Sequence, residues 1–158
     1  MKIEVHNRMT VEGITPSVPY AVISMTDINR PWAKVAQNEY CRGVIQLHVD
    51  DADVAGIFNP AHLSPDQAAH EQQSRPLNIF GDDQAHLLIN GVLDWQKAGV
   101  QLLICQCDAG KSRSAGTAAA FGKILNGDDT FIFDNPQYIP NRKIYRTILE
   151  VFYLEYND

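Results

Sequence analysis

Cys107 and Arg113 stand six positions apart in the stretch Leu102-Leu103-Ile104-Cys105-Gln106-Cys107-Asp108-Ala109-Gly110-Lys111-Ser112-Arg113-Ser114. A strongly apolar run leads in and an alanine-rich helical run leads out. This order puts a sulfur nucleophile, a short loop and a fixed cation between a strand and a helix. Such an arrangement suits the gripping of a phosphate dianion and attack on its phosphorus. Gly110 lets the loop turn tightly, and the loop amides, from Asp108 through Ala109, Gly110, Lys111 and Ser112 to Arg113, form a nest for an anion. The helix that follows adds its positive N-terminal end. Arg113 offers a planar fork for two phosphate oxygens. Ser114 brings a hydroxyl to the cysteine sulfur, and the whole setting favours the thiolate.

The elements that must position this loop are legible on either side. Tyr20–Met25 reads as a buried strand, broken by Asp27-Ile28-Asn29-Arg30-Pro31. Gly43–Val49 reads as a second strand running into the acidic Asp50-Asp51-Ala52-Asp53. The polar stretch Asn59–Pro76 reads as a long surface excursion, with a short helix from Ser64-Pro65 inside it. Asp82-Asp83 opens a helix with Leu88, Ile89, Val92 and Leu93 on one stripe, stopped by Gly99. Val100–Ile104 is a core strand, Ser114–Leu125 a helix ended by Asn126-Gly127, and a last helix starts near Pro140. Strands alternating with helices predict one α/β domain, residues 1–158, with a mainly parallel central sheet flanked by helices. Ligands of such sheets bind beyond the carboxyl ends of the strands.

Composition narrows the chemistry. The net charge is −6 and no basic cluster stands out, which argues against nucleic acid and anionic membranes as partners. No apolar run approaches the ~20 residues of a membrane span, and the N-terminus does not read as a signal peptide. Three cysteines suit a reducing compartment, so the expectation is a cytoplasmic protein. Cys105-Gln106-Cys107 lacks a second Cys/His cluster, and His6, His48, His62, His70 and His86 show no ligand spacing. No metal or cofactor is expected. Cys105 reads as a small buried strand residue.

The run Cys107-Asp108-Ala109-Gly110-Lys111-Ser112-Arg113-Ser114 resembles the signature loop of the cysteine-based protein tyrosine and dual-specificity phosphatases. The order of elements from about Val22 to Phe152 follows that family too, and Pro140-Asn141-Arg142 looks like its small bacterial and phage members. The resemblance implies a dual-specificity-phosphatase-like fold and a metal-independent hydrolase of phosphorylated proteins or small phosphomonoesters. In it Cys107 attacks phosphorus, Arg113 and the loop amides hold the equatorial oxygens, and Ser114 eases thiolate departure. It also implies an Asp as general acid. Asp51 is the first choice and Asp50 the second, with Asp53, Asp82 and Asp83 as further candidates; for Asp82 and Asp83 helix capping is the alternative role. Gln106 stands where the family usually has His. Lys111 is offset by Asp108, which points away from an inositol phosphate specialist. Two other readings stay open. One is a pseudophosphatase that holds phosphorylated partners; the other is sulfur transfer or arsenate reduction through Cys107, with Cys105 as a disulfide partner.

Overall fold

A computed structural model describes residues 1–52 and 77–156. Four strands form one sheet in the order β1-β4-β2-β3: β1 Lys2–His6, β2 Tyr20–Thr26, β3 Cys41–His48 and β4 Leu102–Gln106. Every neighbouring pair is parallel. Among the described residues five helices accompany them: α1 Arg8–Gly13, α2 Asp82–Lys97, α3 Arg113–Asn126, α4 Thr130–Phe133 and α5 Arg142–Glu155.

The central strands are β2 and β4, and both are buried along their whole length. That burial explains their near-continuous apolar sequences, as expected for a parallel strand covered on both faces. On one face the stripe Leu88, Ile89 and Val92 of α2 joins Ala115, Ala118 and Ala119 of α3 and Ile144 and Ile148 of α5 in the main core. Val11 of α1 packs with Tyr20, Val22 and Ile104 on the other face.

The helices predicted at Asp82, Ser114 and Pro140 are all present. α2 begins with Gly81 as its flanking residue, whose N–H donates to the Gln84 carboxamide at 3.0 Å. Asp82 and Asp83 therefore occupy its first turn rather than its cap, where their charge complements the helix dipole. Gly99 (φ +87°) follows the end of α2, and Gly127 (φ +69°) closes α3 in the left-handed conformation. β4 lies two residues later than the apolar run predicts, because polar Gln106 pairs in register with Ser24 of β2. Strand β1 and helices α1 and α4 are additions to the predicted set. The Asn59–Pro76 excursion, its short helix and Asp53 lie outside the described residues.

Because all four strands are parallel, their carboxyl ends gather on one side of the sheet. Asn7 and Arg8, Asp27, Asp50 and Asp51, and Cys107 each follow one of these ends.

Candidate active site

β4 ends at Gln106, and the chain then curls through Cys107–Ser112 into α3. Outside groups seize its carbonyls. Asp108 O accepts from Arg8 N at 3.2 Å, Lys111 O from Ile139 N at 2.9 Å, and Ser112 O from Asn141 N at 2.9 Å. In a planar trans peptide the next N–H points opposite to the carbonyl. The N–H groups of Ala109, Ser112 and Arg113 therefore point away from these three partners. Gly110 sits at φ +68°, and a Cβ there would lie 2.7 Å from Asn7 N. Glycine is required both by the left-handed conformation and by that close approach.

Cys107 is 1 % exposed, and its Sγ lies 3.1 Å from Ser114 Oγ. α3 starts at Arg113 with no side chain capping it. Ser112, the residue in the capping position, gives its hydroxyl to Asp51 Oδ1 at 2.7 Å instead. The first turn of a fourteen-residue helix thus points its positive end at the loop.

Arg113 is buried and held from several sides. One terminal nitrogen donates to Asp27 Oδ1 and to Val49 O, each at 2.8 Å, and the other lies 3.5 Å from Asp108 Oδ2. Burial works against its charge, but Cys107, Asp27, Asp51 and Asp108 outweigh it and raise the guanidinium above its ordinary value. Its Nε has no partner among the described residues. Burial lifts Asp27 above the ordinary carboxylate range; Asp50 and Asp108 lift it further, while Arg113 pulls it down.

Asp108 also accepts from Arg8 Nε at 3.0 Å, Thr26 Oγ1 at 2.8 Å and Arg30 at 3.4 Å. The charge that offsets Asp108 is therefore that of arginines from other strand ends, not Lys111. Arg8 and Arg30 follow β1 and β2, so tertiary pairing overrides proximity in sequence.

The structure brings Asp51 to the loop. Its Oδ1 accepts from Ser112 Oγ and, at 2.9 Å, from Asn141 Nδ2. Asn141 also donates to Ala52 O at 2.8 Å and caps α5 by accepting from Ile144 N. It can approach so closely because Gly116 lacks a side chain: a Cβ there would meet Asn141 O at 2.5 Å. Asp50 is buried beside it and accepts from Asn78 N at 2.7 Å. Asp82 and Asp83 stay in the first turn of α2.

Beneath the loop, Gln106 Oε1 accepts from Ser24 Oγ at 2.5 Å, while Nε2 has no partner among the described residues. Cys105 is fully buried, and burial, reinforced by Cys107, pushes its thiol far up. No group of His, Cys, Asp and Glu among the described residues is arranged to hold a metal ion. No helix among them is long and apolar enough to cross a membrane.

Sequence reasoning missed Asp27, Arg8 and Asn141. Their partners are 86, 100 and 90 positions away in sequence. For Asn141 a local clue existed, an Asn directly before a helical stripe. For Asp27 the clue was its place just after a buried strand.

No protein-family model matches the chain, and no curated protein matches it in sequence. Solved structures match it in fold. Human DUSP28 aligns with a TM-score of 0.55 at 13% identity, over 96% of this chain and 92% of its own. The human tyrosine phosphatase-like serine/threonine/tyrosine-interacting protein gives 0.50 at 16% identity, over 85% and 77%. PTPMT1 in complex with PI(5)P gives 0.50 at 14% identity, over 97% and 91%. The chain has the single-domain α/β fold of the dual-specificity phosphatases.

Proposed function

We propose that the chain is a phosphomonoester hydrolase of the protein tyrosine and dual-specificity phosphatase type, acting through a phosphocysteine on Cys107. One observation carries this reading: the sulfur lies 3.1 Å from the Ser114 hydroxyl at the foot of a loop whose carbonyls are bonded outward. The loop amides and Arg113 would receive the equatorial oxygens of the phosphate. The Cys107 thiolate attacks phosphorus, a P–S bond forms, and the P–O bond to the leaving group breaks. The leaving oxygen takes a proton from a carboxylic acid, for which Asp51 comes first and Asp50 second. Water then attacks the phosphocysteine while giving a proton back to that carboxylate; the P–S bond breaks, phosphate is released, and Ser114 donates a hydrogen bond to the departing thiolate. The residues named need no metal.

Substrates of this site are phosphorylated proteins or small phosphomonoesters. The kinship with small bacterial and phage members rests on Pro140-Asn141-Arg142 alone. A cytoplasmic setting rests on composition.

A second reading, a module that binds phosphorylated partners with little turnover, is favoured by Gln106 in place of His and by the use of Asp51 Oδ1 on Ser112 and Asn141. Para-nitrophenyl phosphate tests both. The wild type should release phosphate in the presence of EDTA and Cys107→Ser should not. Unchanged activity in Cys107→Ser would overturn the mechanism. Tight calorimetric binding of a phosphopeptide without phosphate release would favour the second reading.

A further inference from the structure

Asp108 follows the candidate nucleophile directly, and so puts a carboxylate into a loop proposed to hold a phosphate dianion. Like charges at such range repel. The structure shows what occupies this carboxylate. Its Oδ1 accepts from Arg8 Nε at 3.0 Å, and its Oδ2 from Thr26 Oγ1 at 2.8 Å and from Arg30 at 3.4 Å. Arg8 follows the end of β1 and Arg30 the turn after β2, so Asp108 ties both strand ends to the loop. Arg8 is held further by Thr26 Oγ1 and Pro31 O. Among the described residues neither arginine pairs with a second carboxylate.

The contact with Arg113 has a different character. Asp108 Oδ2 lies 3.5 Å from Nη2, beyond the length of an ordinary charge-assisted hydrogen bond. Asp27 and Val49 take Nη1. Nε and Nη2 form the other edge of the fork, and among the described residues neither makes a hydrogen bond. That edge can match two oxygens of one phosphate. Asp108 thus leaves these donors open while its charge stands beside them. Arg8 and Arg30 do not cancel it fully. Their side chains are 22% and 50% exposed and better screened by solvent, whereas that of Asp108 is 13% exposed.

We propose that Asp108 sets the affinity of the loop for phosphate: it is a fixed counter-charge that holds Arg8 and Arg30 in place and opposes the incoming dianion. The inference rests on the phosphatase reading and adds a property to it. The loop grips its phosphate product weakly, and so lets it go.

Product inhibition by inorganic phosphate tests this, with para-nitrophenyl phosphate as substrate. Asp108→Asn keeps the size of the side chain and the Oδ1 acceptor for Arg8. Inorganic phosphate should inhibit this variant at about tenfold lower concentration than the wild type, the equivalent of ~1.4 kcal/mol. KM should fall in step, because substrate and product present the same dianion. A carboxylate that only positioned Arg113 gives the opposite sign: its loss would loosen the fork, weaken phosphate inhibition and lower kcat. Phosphate inhibition unchanged or weaker in Asp108→Asn overturns the proposal and leaves the phosphatase reading standing. If that variant does not fold, Arg30→Gln decides, since Arg30 is half-exposed and reaches Asp108 by one long bond. It leaves Asp108 less neutralised and should raise the inhibitory phosphate concentration about threefold. No change in Arg30→Gln overturns the proposal as well. If the wild type neither binds inorganic phosphate in calorimetry nor hydrolyses para-nitrophenyl phosphate, the phosphatase reading falls and takes this inference with it.

Discussion

The carboxyl ends of β4 and β3 both contribute to the surroundings of Arg113, and they do so by different means. After β4 the cradle is made by one continuous stretch, Cys107 to Ser114, in which sulfur, glycine, arginine and hydroxyl follow in order. After β3, Asp50 and Asp51 take their positions from Asn78, Ser112 and Asn141, which lie far along the chain. The first arrangement is local, so a short motif specifies it. The second is tertiary, so the same residues mean little until the fold has assembled. The loop proposed to bind an anion is therefore written compactly in this chain, whereas the surroundings of the proposed acid are distributed.

The sharpest test of this contrast is Asp51→Asn. As general acid, Asp51 should account for about 10²–10⁴-fold in rate with a poor leaving group such as phenyl phosphate, and for much less with para-nitrophenyl phosphate. Steady-state kinetics on the two esters checks it. A variant that loses thermal stability yet keeps both rates would leave Asp51 as a fastener between Ser112 and Asn141 and move the acid role to Asp50. On the local side, Arg113→Lys should lower kcat/KM by about 10²–10³-fold, since a point charge cannot replace the fork. It should also unsettle Asp27, which loses a donor at 2.8 Å. Rates near wild type would break the assignment of Arg113 to phosphate.

Gly110→Ala probes the loop without touching its charges. The left-handed φ and the 2.7 Å approach to Asn7 N predict a loss of about 1–3 kcal/mol in chemical denaturation. Asp27→Asn gives the smallest effect and a sign. An acid whose folded pKa lies above its unfolded value binds more protons when folded. Stability then falls as pH climbs from the unfolded value, 3.8, through the raised one. The wild type should lose ground to Asp27→Asn across that window and level off above it, as urea midpoints would show. A wild type that gains on the variant would mean that the Arg113 pair outweighs burial.

Much of this was legible in the sequence. Tyr20–Thr26 is fully buried, so its apolar run announced a strand, and the stripes of α2 and α5 announced helices because each buries a single face. The loop was legible because its chemistry is contiguous. β1 was missed although Lys2-Ile3-Glu4-Val5-His6 alternates as a half-buried strand does, because five residues with only two apolar ones give a weak signal. The four-residue α4 is too short to show a period. Asp108 was misread for a related reason: its neighbour in sequence is Lys111, but its neighbours in space are Arg8, Arg30 and Arg113. Asp27 and Asn141 escaped notice as site residues because their roles exist only in the assembled sheet.

The register of β1 bears on how the protein is born. Lys2 pairs with Leu102 and His6 with Gln106, so β1 finds its ladder partner only once β4 has been made. Until residue 106 emerges, the nascent chain cannot bring Asn7 and Arg8 against Gly110 and Asp108. Contacts this distant in sequence form slowly. Cys107 therefore gains the walls around it only once β4 and the loop that follows it have been made.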